Sequence, residues 1–220
     1  MNKYLKVLLS IPYSIWLNFR YLPFRQAVYI PMLVSYKASF FVAGGGKLLL
    51  GCKPKFGLIH VGFYQVELCS PSDKTKIIVR GTLIFKGRCY LGNGTKIRIY
   101  ENALMVLGDK FSVSSSSSFN CSCNMTFGDN VLYGWDCLTM DTDSHKIFNQ
   151  QGEFCNEGKP IVIGENVWIG SRSTILKGTT VPGNCVIGAT SLVTGSGFKE
   201  NTVILGSPAK SVKAISGWKL

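Results

Sequence analysis

Charged residues are scarce in this chain of 220 residues, and acidic ones are the scarcest. Asp and Glu together number 12 against 24 Lys and Arg, and histidine occurs only twice. No Asp or Glu precedes Glu67. This asymmetry predicts contact with an anionic membrane surface, nucleic acid, or a phosphorylated or acidic substrate, with a solvated basic face as the alternative. Because no nucleic-acid-binding motif accompanies the charge, we expect no nucleic acid partner.

The sequence also predicts neither a membrane-spanning apolar run nor a cleavable leader. The first 43 residues hold no charge-free span of about 18 residues, the minimum for crossing a bilayer, and no small-residue cleavage site follows the opening segment. The eight cysteines lack zinc-ligand spacing, since Cys121 and Cys123 are too close and have no second pair, so we expect no metal. We expect reduced, buried cysteines in a cytoplasmic protein, with peripheral contact at the inner face of the cell membrane as a further option.

Apolar residues are plentiful, at 46%, and in the second half an aliphatic residue recurs every sixth position. A compact residue follows each aliphatic one after four positions. This period is neither helical nor that of a simple strand; it suits a short strand and a turn, three of which close a triangular coil, with coils stacked at about 4.8 Å. The pattern predicts an all-β stack of coils with the aliphatic residues inside. The aliphatic positions are Ile163, Ile169, Ile175, Val181, Ile187 and Val193, and the compact ones are Val167, Ser173, Thr179, Cys185 and Ser191.

The same period appears earlier, in runs separated by slips of phase that predict small loops at corners. Leu50, Phe56 and Gly62 fit a ragged first coil, and the serines at 114–118 fit the edge of a coil. The earlier inward positions are Val79, Phe85, Leu91 and Ile97, then Leu107, Val113 and Phe119, then Phe127, Tyr133 and Thr139.

The first 43 residues lack this period and mix aromatics, basic residues and prolines. They predict a short helix followed by an extended cap over the first coil, and an amphipathic surface that rests on a membrane is a compatible alternative. We therefore expect a partly helical cap at 1–45, a β-helix at 46–214, and a carboxy-terminal tail at 215–220.

The six-residue period stops at Thr139 and resumes at Ile163. Long irregular loops inside a compact domain are often functional, so we expect an active-site loop at about 140–160. This loop carries His145, and an imidazole titrates near neutral pH, although a lone histidine on a loop is more often merely solvated. His60 has no such context and is expected to be structural.

From about residue 75 to residue 214 the chain resembles a known family, chiefly in residues 128–148, 159–195 and 200–213. The family is the left-handed β-helix, hexapeptide-repeat acyltransferases, and within it the similarity is greatest to bacterial O-acetyltransferases of capsule, O-antigen and exopolysaccharide synthesis. The resemblance implies a homotrimer with acetyl-CoA in the groove between neighbouring coils. It also implies the left-handed coil, since parallel crossovers are ordinarily right-handed.

The resemblance further implies a site. His145 matches a loop histidine that acts as general base, taking the proton of the acceptor hydroxyl and returning it to the CoA thiolate. Either Asp143 or Asp136 would orient the ring, and backbone amides of the adjoining subunit would stabilise the oxyanion. Trp168 would lie beside the active site, with packing on the coil surface as an equal alternative. The expected contacts to acetyl-CoA are Gly170, Ser171, Gly188, Ala189, Ser207 and Lys210.

Rival motifs fail. Ser207 and Lys210 match an S-x-x-K string, but no S-D-N or K-T-G follows, and carbonic anhydrases of this fold need three zinc histidines. Cys137 and Cys155 have no evident base beside them, which favours direct transfer. We therefore expect an acetyl-CoA-dependent O-acetyltransferase for a sugar hydroxyl of a bacterial surface polysaccharide or its lipid-linked precursor. The alternatives are an acetyltransferase for serine, an amino sugar or an antibiotic, and a non-catalytic β-helical scaffold.

Overall fold

Three sheets wind around one apolar core. The computed structural model describes residues 3–63, 66–70 and 72–219, and in that part the first 20 of 22 strands follow each other from sheet to sheet in rotation, while the last two both join one sheet. Each full turn of the chain therefore adds one strand to each of three faces, which makes a triangular prism. All strand pairs are parallel except the final hairpin.

The strands are short and fall into three sheets. Sheet A contains β1 (Met32–Val34), β4 (Ile59–Val61), β7 (Cys89–Leu91), β10 (Phe111–Ser115), β13 (Leu132–Trp135), β16 (Trp168–Ile169), β19 (Val186–Ile187), β21 (Thr202–Gly206) and β22 (Ala209–Ala214). Sheet B contains β2 (Ser39–Val42), β5 (Lys76–Val79), β8 (Lys96–Ile99), β11 (Ser118–Cys121), β14 (Leu138–Met140), β17 (Thr174–Leu176) and β20 (Leu192–Val193). Sheet C contains β3 (Lys47–Leu50), β6 (Thr82–Phe85), β9 (Leu104–Leu107), β12 (Asn124–Phe127), β15 (Ile161–Ile163) and β18 (Thr180–Val181).

The six-residue period marks the core as predicted. All six aliphatic positions from Ile163 to Val193 are buried, as are the three earlier runs from Val79 to Thr139. The compact positions are buried at the corners, where the hydroxyls of Ser173 and Ser191 both donate to the Gly188 carbonyl, at 3.0 and 2.7 Å. These bonds satisfy polar groups that the corner removes from water.

The corners also repeat every six residues in backbone conformation. Asn166, Arg172, Gly178, Asn184 and Thr190 all have positive φ between 52° and 74°. Asparagine and glycine tolerate this left-handed region best, which explains their frequency at the turns. The serines at 114–118 cross such a corner, because β10 ends at Ser115 and β11 begins at Ser118, and this confirms their prediction as a coil edge.

The first coil differs from its prediction. Leu50 pairs in register with Phe85, as expected, but Phe56 is 67% exposed and belongs to a loop. The next inward position is Val61, which pairs with Leu91. The first strand of the prism, β1, begins at Met32, inside the segment predicted as a cap. It belongs to sheet A because it pairs in parallel with β4, with Met32 opposite Ile59.

The amino-terminal region is more helical than predicted. Helix α1 (Lys3–Tyr21) has 19 residues and is followed by α2 (Phe24–Ala27). Neither helix has the length and hydropathy needed to span a bilayer, and the same holds for every helical segment of the described ranges. Four cysteines are buried, as expected, but Cys155 is exposed; no disulfide forms in the described part of the chain, which holds all eight.

Candidate active site

A groove of about 800 Å³ follows the corner where sheets A and B meet. Its floor is formed by β16 and β19, and its walls include corner residues of four successive coils. Six of the residues predicted for the site line this single groove, although they are spread over more than fifty positions of sequence. They are Asp136, Trp168, Gly170, Ser171, Gly188 and Ala189.

Coil stacking explains why small residues occur here. A Cβ at Gly170 would lie 2.5 Å from the Ala189 nitrogen, so the next coil excludes a side chain. The N–H groups of Gly170 and Gly188 donate to carbonyls of the following coil, each at 2.8 Å. The N–H groups of Ser171 and Ala189, in contrast, have no acceptor among the described residues. The two glycines are therefore structural, and the residues after them carry the backbone donors available to a ligand.

A second excursion of the chain closes one side of the groove. Between β4 and β5 the coil is interrupted, and Leu68, Cys69, Ser70 and Asp73 from this interruption line the groove. The Ser116 hydroxyl donates to the Asp73 carboxylate at 2.9 Å, which fixes the excursion against the corner. The sequence analysis missed these residues, and the only available signal was the loss of the six-residue period before Lys76.

The groove also holds an arginine that the sequence analysis missed. Arg172 lines it at a corner, and its Nε lies 3.7 Å from the Asp136 carboxylate. Both side chains are more than half exposed, so the ion pair adds little to stability. The ion pair matters for the groove instead, because it places the Arg172 cation beside the backbone N–H of Ser171.

The excursion that carries His145 lies on another corner. It leaves sheet B after β14 and returns in sheet C at β15. At its base the buried Asp141 carboxylate accepts the N–H groups of Ser122 and Cys123, at 2.7 and 2.8 Å. Burial raises the pKa of Asp141, and the two amide hydrogen bonds oppose that rise. The base is therefore tied to the preceding coil.

Further out, the excursion forms a small hairpin. Phe148 and Phe154 make an antiparallel bridge, and their rings lie 6.4 Å apart. The Asn149 side chain accepts the N–H groups of Gln151 and Glu153, both at 2.9 Å. These bonds give the excursion an ordered shape of its own, as expected for a loop that positions a side chain.

His145 is exposed at the start of this hairpin, and its ring has no hydrogen-bond partner in the described part of the chain. The Asn156 amide donates both to the His145 carbonyl, at 2.9 Å, and to the Asp143 carboxylate, at 2.8 Å. Lys177 also donates to Asp143, and this bond, followed by that from Asn156, lowers the pKa of Asp143. Asp143 thus fixes the Asn156 side chain, which in turn bonds the main chain at His145.

The predicted residues are not all brought together in one chain. His145 and Asp143 lie at the corner of sheets B and C, whereas Asp136 and Trp168 lie at the corner of sheets A and B. Each aspartate is bonded to another group: Asp143 to Lys177 and Asn156, and Asp136 to Arg172. No hydrogen bond or ion pair among the described residues joins His145 or Asp143 to the lining of the groove.

Ser207 and Lys210 lie outside the lining of the groove. They belong to the turn and second strand of the hairpin β21–β22, in which Lys210 pairs with Leu205. A Cβ at Gly188 would lie 2.9 Å from the Leu205 Cβ, so this hairpin borders one end of the groove. Lys210 is exposed there.

Of the two cysteines considered as nucleophiles, Cys137 at the groove corner is not activated. Cys137 is buried, burial raises the pKa of its thiol, and its Sγ lies 3.3 Å from the Gly170 carbonyl as a donor. A buried thiol of this kind is inert. Cys155 is exposed on the excursion, where its Sγ donates to the Ile147 carbonyl at 3.4 Å.

The sequence of this chain is similar to a family model and to acetyltransferases of known sequence. The family model of the hexapeptide repeat of succinyl-transferase matches residues 160–194. WbbJ of Escherichia coli K12, named as a lipopolysaccharide biosynthesis O-acetyl transferase, is 30% identical over 189 residues, which are 76% of this chain and 94% of WbbJ. Galactoside O-acetyltransferase of the same organism is 33% identical over 134 residues, 58% of each chain. Two further acetyltransferases are matched over 41% and 52% of their own length.

Among solved structures, the polysialic acid O-acetyltransferase OatWY superposes with a TM-score of 0.54 at 23% identity, covering 83% of this chain and 91% of that chain. At this identity the likeness concerns the fold, which is the left-handed parallel β-helix. The match to nearly the whole of WbbJ decides the family: this chain belongs to the left-handed β-helix, hexapeptide-repeat acyltransferases. Its enzyme class is acyltransferase, and the relatives matched include O-acetyltransferases.

Proposed function

We propose that the chain is an acetyl-CoA-dependent O-acetyltransferase that acts on a sugar hydroxyl of a bacterial surface polysaccharide, such as capsule, O-antigen or exopolysaccharide, or on its lipid-linked precursor. The observation that carries the proposal is the groove, which gathers six residues that the sequence resemblance assigns to one site. The names of WbbJ and galactoside O-acetyltransferase support a sugar as acceptor.

The acyl donor lies along the groove in this proposal. The N–H groups of Ser171 and Ala189 donate to the amide oxygens of the pantetheine arm, because they line the groove and have no acceptor in the described chain. Arg172 and, at the hairpin end, Lys210 with Ser207 attract the phosphates of CoA. Trp168, which is 41% exposed in the groove, packs against the arm or the acceptor sugar.

His145 performs the proton transfer. Its imidazole takes the proton of the acceptor hydroxyl while the hydroxyl oxygen attacks the thioester carbonyl carbon. The tetrahedral intermediate then collapses, the carbon–sulfur bond breaks, and the imidazolium returns the proton to the departing thiolate. The inert Cys137 supports direct transfer without an acyl-enzyme. Asp136, in the groove, is positioned to balance the charge of the imidazolium that a neighbouring chain brings to it.

A homotrimer completes the site in this proposal. Three chains packed side by side place the excursion of one protomer at the groove of the next, which brings together the two corners that a single chain keeps apart. The hairpin of the excursion supports this arrangement, since Ile147, Phe148 and Phe154 are 53%, 57% and 41% exposed at its tip. Clustered apolar side chains of this kind mark contact surfaces.

The proposed acceptor includes the lipid-linked precursor of the polysaccharide. A lipid-linked sugar precursor resides at the membrane, and the basic amino-terminal region would hold the enzyme near an anionic leaflet. Peripheral contact of this kind requires no membrane-spanning helix.

Release of free thiol from acetyl-CoA tests the proposal. We expect turnover with polysaccharide fragments or lipid-linked glycans in a panel that also contains serine, amino sugars and antibiotics, and a product ester that mild base cleaves. His145→Ala should lower kcat by about 10²–10⁴-fold without changing the fold, because the exposed ring has no hydrogen-bond partner in the described chain. His60→Ala, which removes the second histidine, should retain turnover.

An amide product stable to mild base would assign the enzyme to amine acceptors instead. Full turnover by the folded His145→Ala variant would remove this residue from its role, and the absence of thiol release with every acceptor would leave only a scaffold.

A further inference from the structure

The outward side of helix α1 is apolar throughout. From Leu5 to Phe19, every fully exposed residue of the helix is apolar, and Arg20 ends this face. Leu8 and Trp16 are 63% and 53% exposed, and Phe24 extends the patch beyond the helix with 73% exposure. We call this surface the outward face; it consists of Leu5, Leu8, Leu9, Pro12, Ile15, Trp16 and Phe19.

The buried side of the same helix is mostly polar, although Leu17 is also buried there and joins the apolar core, and this inverts the usual arrangement of an amphipathic helix on a core. Ser10, Ser14 and Asn18 are almost completely buried. The Ser14 hydroxyl accepts the Val34 N–H at 2.9 Å, and the Asn18 side chain accepts and donates one bond each to the main chain of Met32, at 3.1 and 2.8 Å. These bonds cover the open edge of sheet A, which would otherwise expose unpaired backbone groups.

The spacing explains how the helix is fixed in this orientation. Four helical residues rise about 6 Å, and two strand residues rise about 6.6 Å. A polar residue at every fourth position of the helix can therefore hydrogen-bond every second residue of the strand. Ser10 continues the series by accepting the Tyr36 N–H at 3.1 Å. The helix cannot turn its apolar side inward without breaking this ladder, and the outward face therefore points away from the stacked coils.

Charge indicates what covers the outward face. The exposed Arg20, Arg25 and Lys37 lie near it in sequence, and no acidic residue occurs before Glu67. A second copy that docked through the same face would bring the same positive charges together, which opposes self-association. An anionic bilayer offers both an apolar interior for the leucines and aromatics and phosphates for the basic side chains.

We propose that α1 is an interfacial helix that docks the chain end-on upon an anionic lipid bilayer, with the outward face at the boundary of headgroups and acyl chains. Because the ladder holds α1 on the edge of β1, the prism axis stands along the membrane normal. The groove at β16 lies five strand positions from β1, which places it about 24 Å from β1, with the thickness of α1 added between β1 and the bilayer. This inference names the element behind the membrane contact given under the proposed function, but it does not depend on acyl transfer.

Vesicle binding without donor or acceptor tests the inference independently of catalysis. We expect the full chain to bind vesicles that contain phosphatidylglycerol about tenfold more strongly than vesicles of phosphatidylcholine alone, and less strongly as salt is raised. The double variant Leu8→Ser/Phe19→Ser should lose binding about tenfold while keeping its circular dichroism spectrum. Val212→Ser, with a 54% exposed apolar residue on β22, is the matched control and should bind like the wild type.

Orientation is tested by fluorescence. Brominated acyl chains should quench part of the tryptophan emission, and Trp16→Phe should still bind but lose that quenching, because Trp135 and Trp168 lie on later coils and Trp218 packs against Trp168. Quenching that persists in Trp16→Phe would contradict end-on docking. Equal binding to both vesicle types, no binding, or unchanged binding of the double variant would overturn the inference. It would also be overturned if the wild type formed a larger oligomer that is absent in the double variant.

Discussion

At the scale of single residues, Asn156 links the parts of the excursion that carries His145. Its amide donates to the Asp143 carboxylate and to the His145 carbonyl, and its side-chain oxygen accepts the Ile147 N–H at 2.6 Å. Lys177 donates to Asp143 and to the Asn156 carbonyl. One side chain therefore holds the main chain at His145 and Ile147 and also bonds the Asp143 carboxylate, which makes Asn156 a positioning residue for the imidazole.

Replacing Asn156 by alanine should lower kcat about tenfold and leave the KM for acetyl-CoA unchanged, because the imidazole is misplaced while the groove is intact. In the background of His145→Ala the same change should cost almost nothing, since there is no longer a base to position. Gln150→Ala, at the exposed tip of the same excursion, is the control. An equal loss with and without His145, measured by thiol release, would assign Asn156 a purely structural role.

Individual site residues could be predicted from the sequence only where a motif carries them. Trp168, Gly170 and Ala189 lie within the repeat that resembles the family, and the structure places them in the groove. Arg172 and Asn156 went unnoticed because a polar residue on a turn or in an irregular loop has no periodic signal. Their position depends on pairing between coils, which sequence spacing does not report.

At the scale of secondary-structure elements, the neighbouring strands β13 and β14 bury a polar pair inside the core. The Tyr133 hydroxyl and Thr139 Oγ1 lie 3.2 Å apart, both residues are fully buried, and burial raises the pKa of Tyr133. Each hydroxyl thus satisfies the other at positions that aliphatic residues occupy elsewhere in the repeat.

Tyr133→Phe and Thr139→Val should each lower the free energy of unfolding by about 1–3 kcal/mol, because each leaves one hydroxyl buried without a partner. The double variant should cost less than the sum, with a coupling of about 1 kcal/mol, since it removes both polar groups. Thr180→Val, on an exposed strand position, should stay within about 0.5 kcal/mol. Urea unfolding at fixed protein concentration measures all four, and strict additivity would refute the pairing.

Strands could be predicted where the sequence keeps the six-residue period, and they were missed where the period is irregular. The inward positions from Val79 to Val193 follow from the period alone, because each coil must bury the same face. The first coil was misjudged: Phe56 keeps the spacing of six but lies on a loop, and β1 begins at Met32 within irregular sequence. Helix α1 was expected to be short, since its buried side is polar and the usual apolar stripe faces outward.

At the scale of the whole molecule, a single chain keeps the groove and the excursion that carries His145 apart. The groove follows one corner of the prism and the excursion with His145 leaves from another. The sequence analysis placed both in one site by resemblance, and no pattern within one chain could show that they lie on different corners. In our account a neighbouring protomer closes this distance, so the active site is a property of the assembly.

Hybrid trimers test this central claim most directly. His145→Ala lacks the base, and Ala189→Trp fills the groove, so each variant alone should be inactive. Hybrids that contain both, isolated through two different tags, should each carry one intact site and recover about one third of the wild-type thiol release. Hybrids that form but remain inactive would contradict a site shared between protomers.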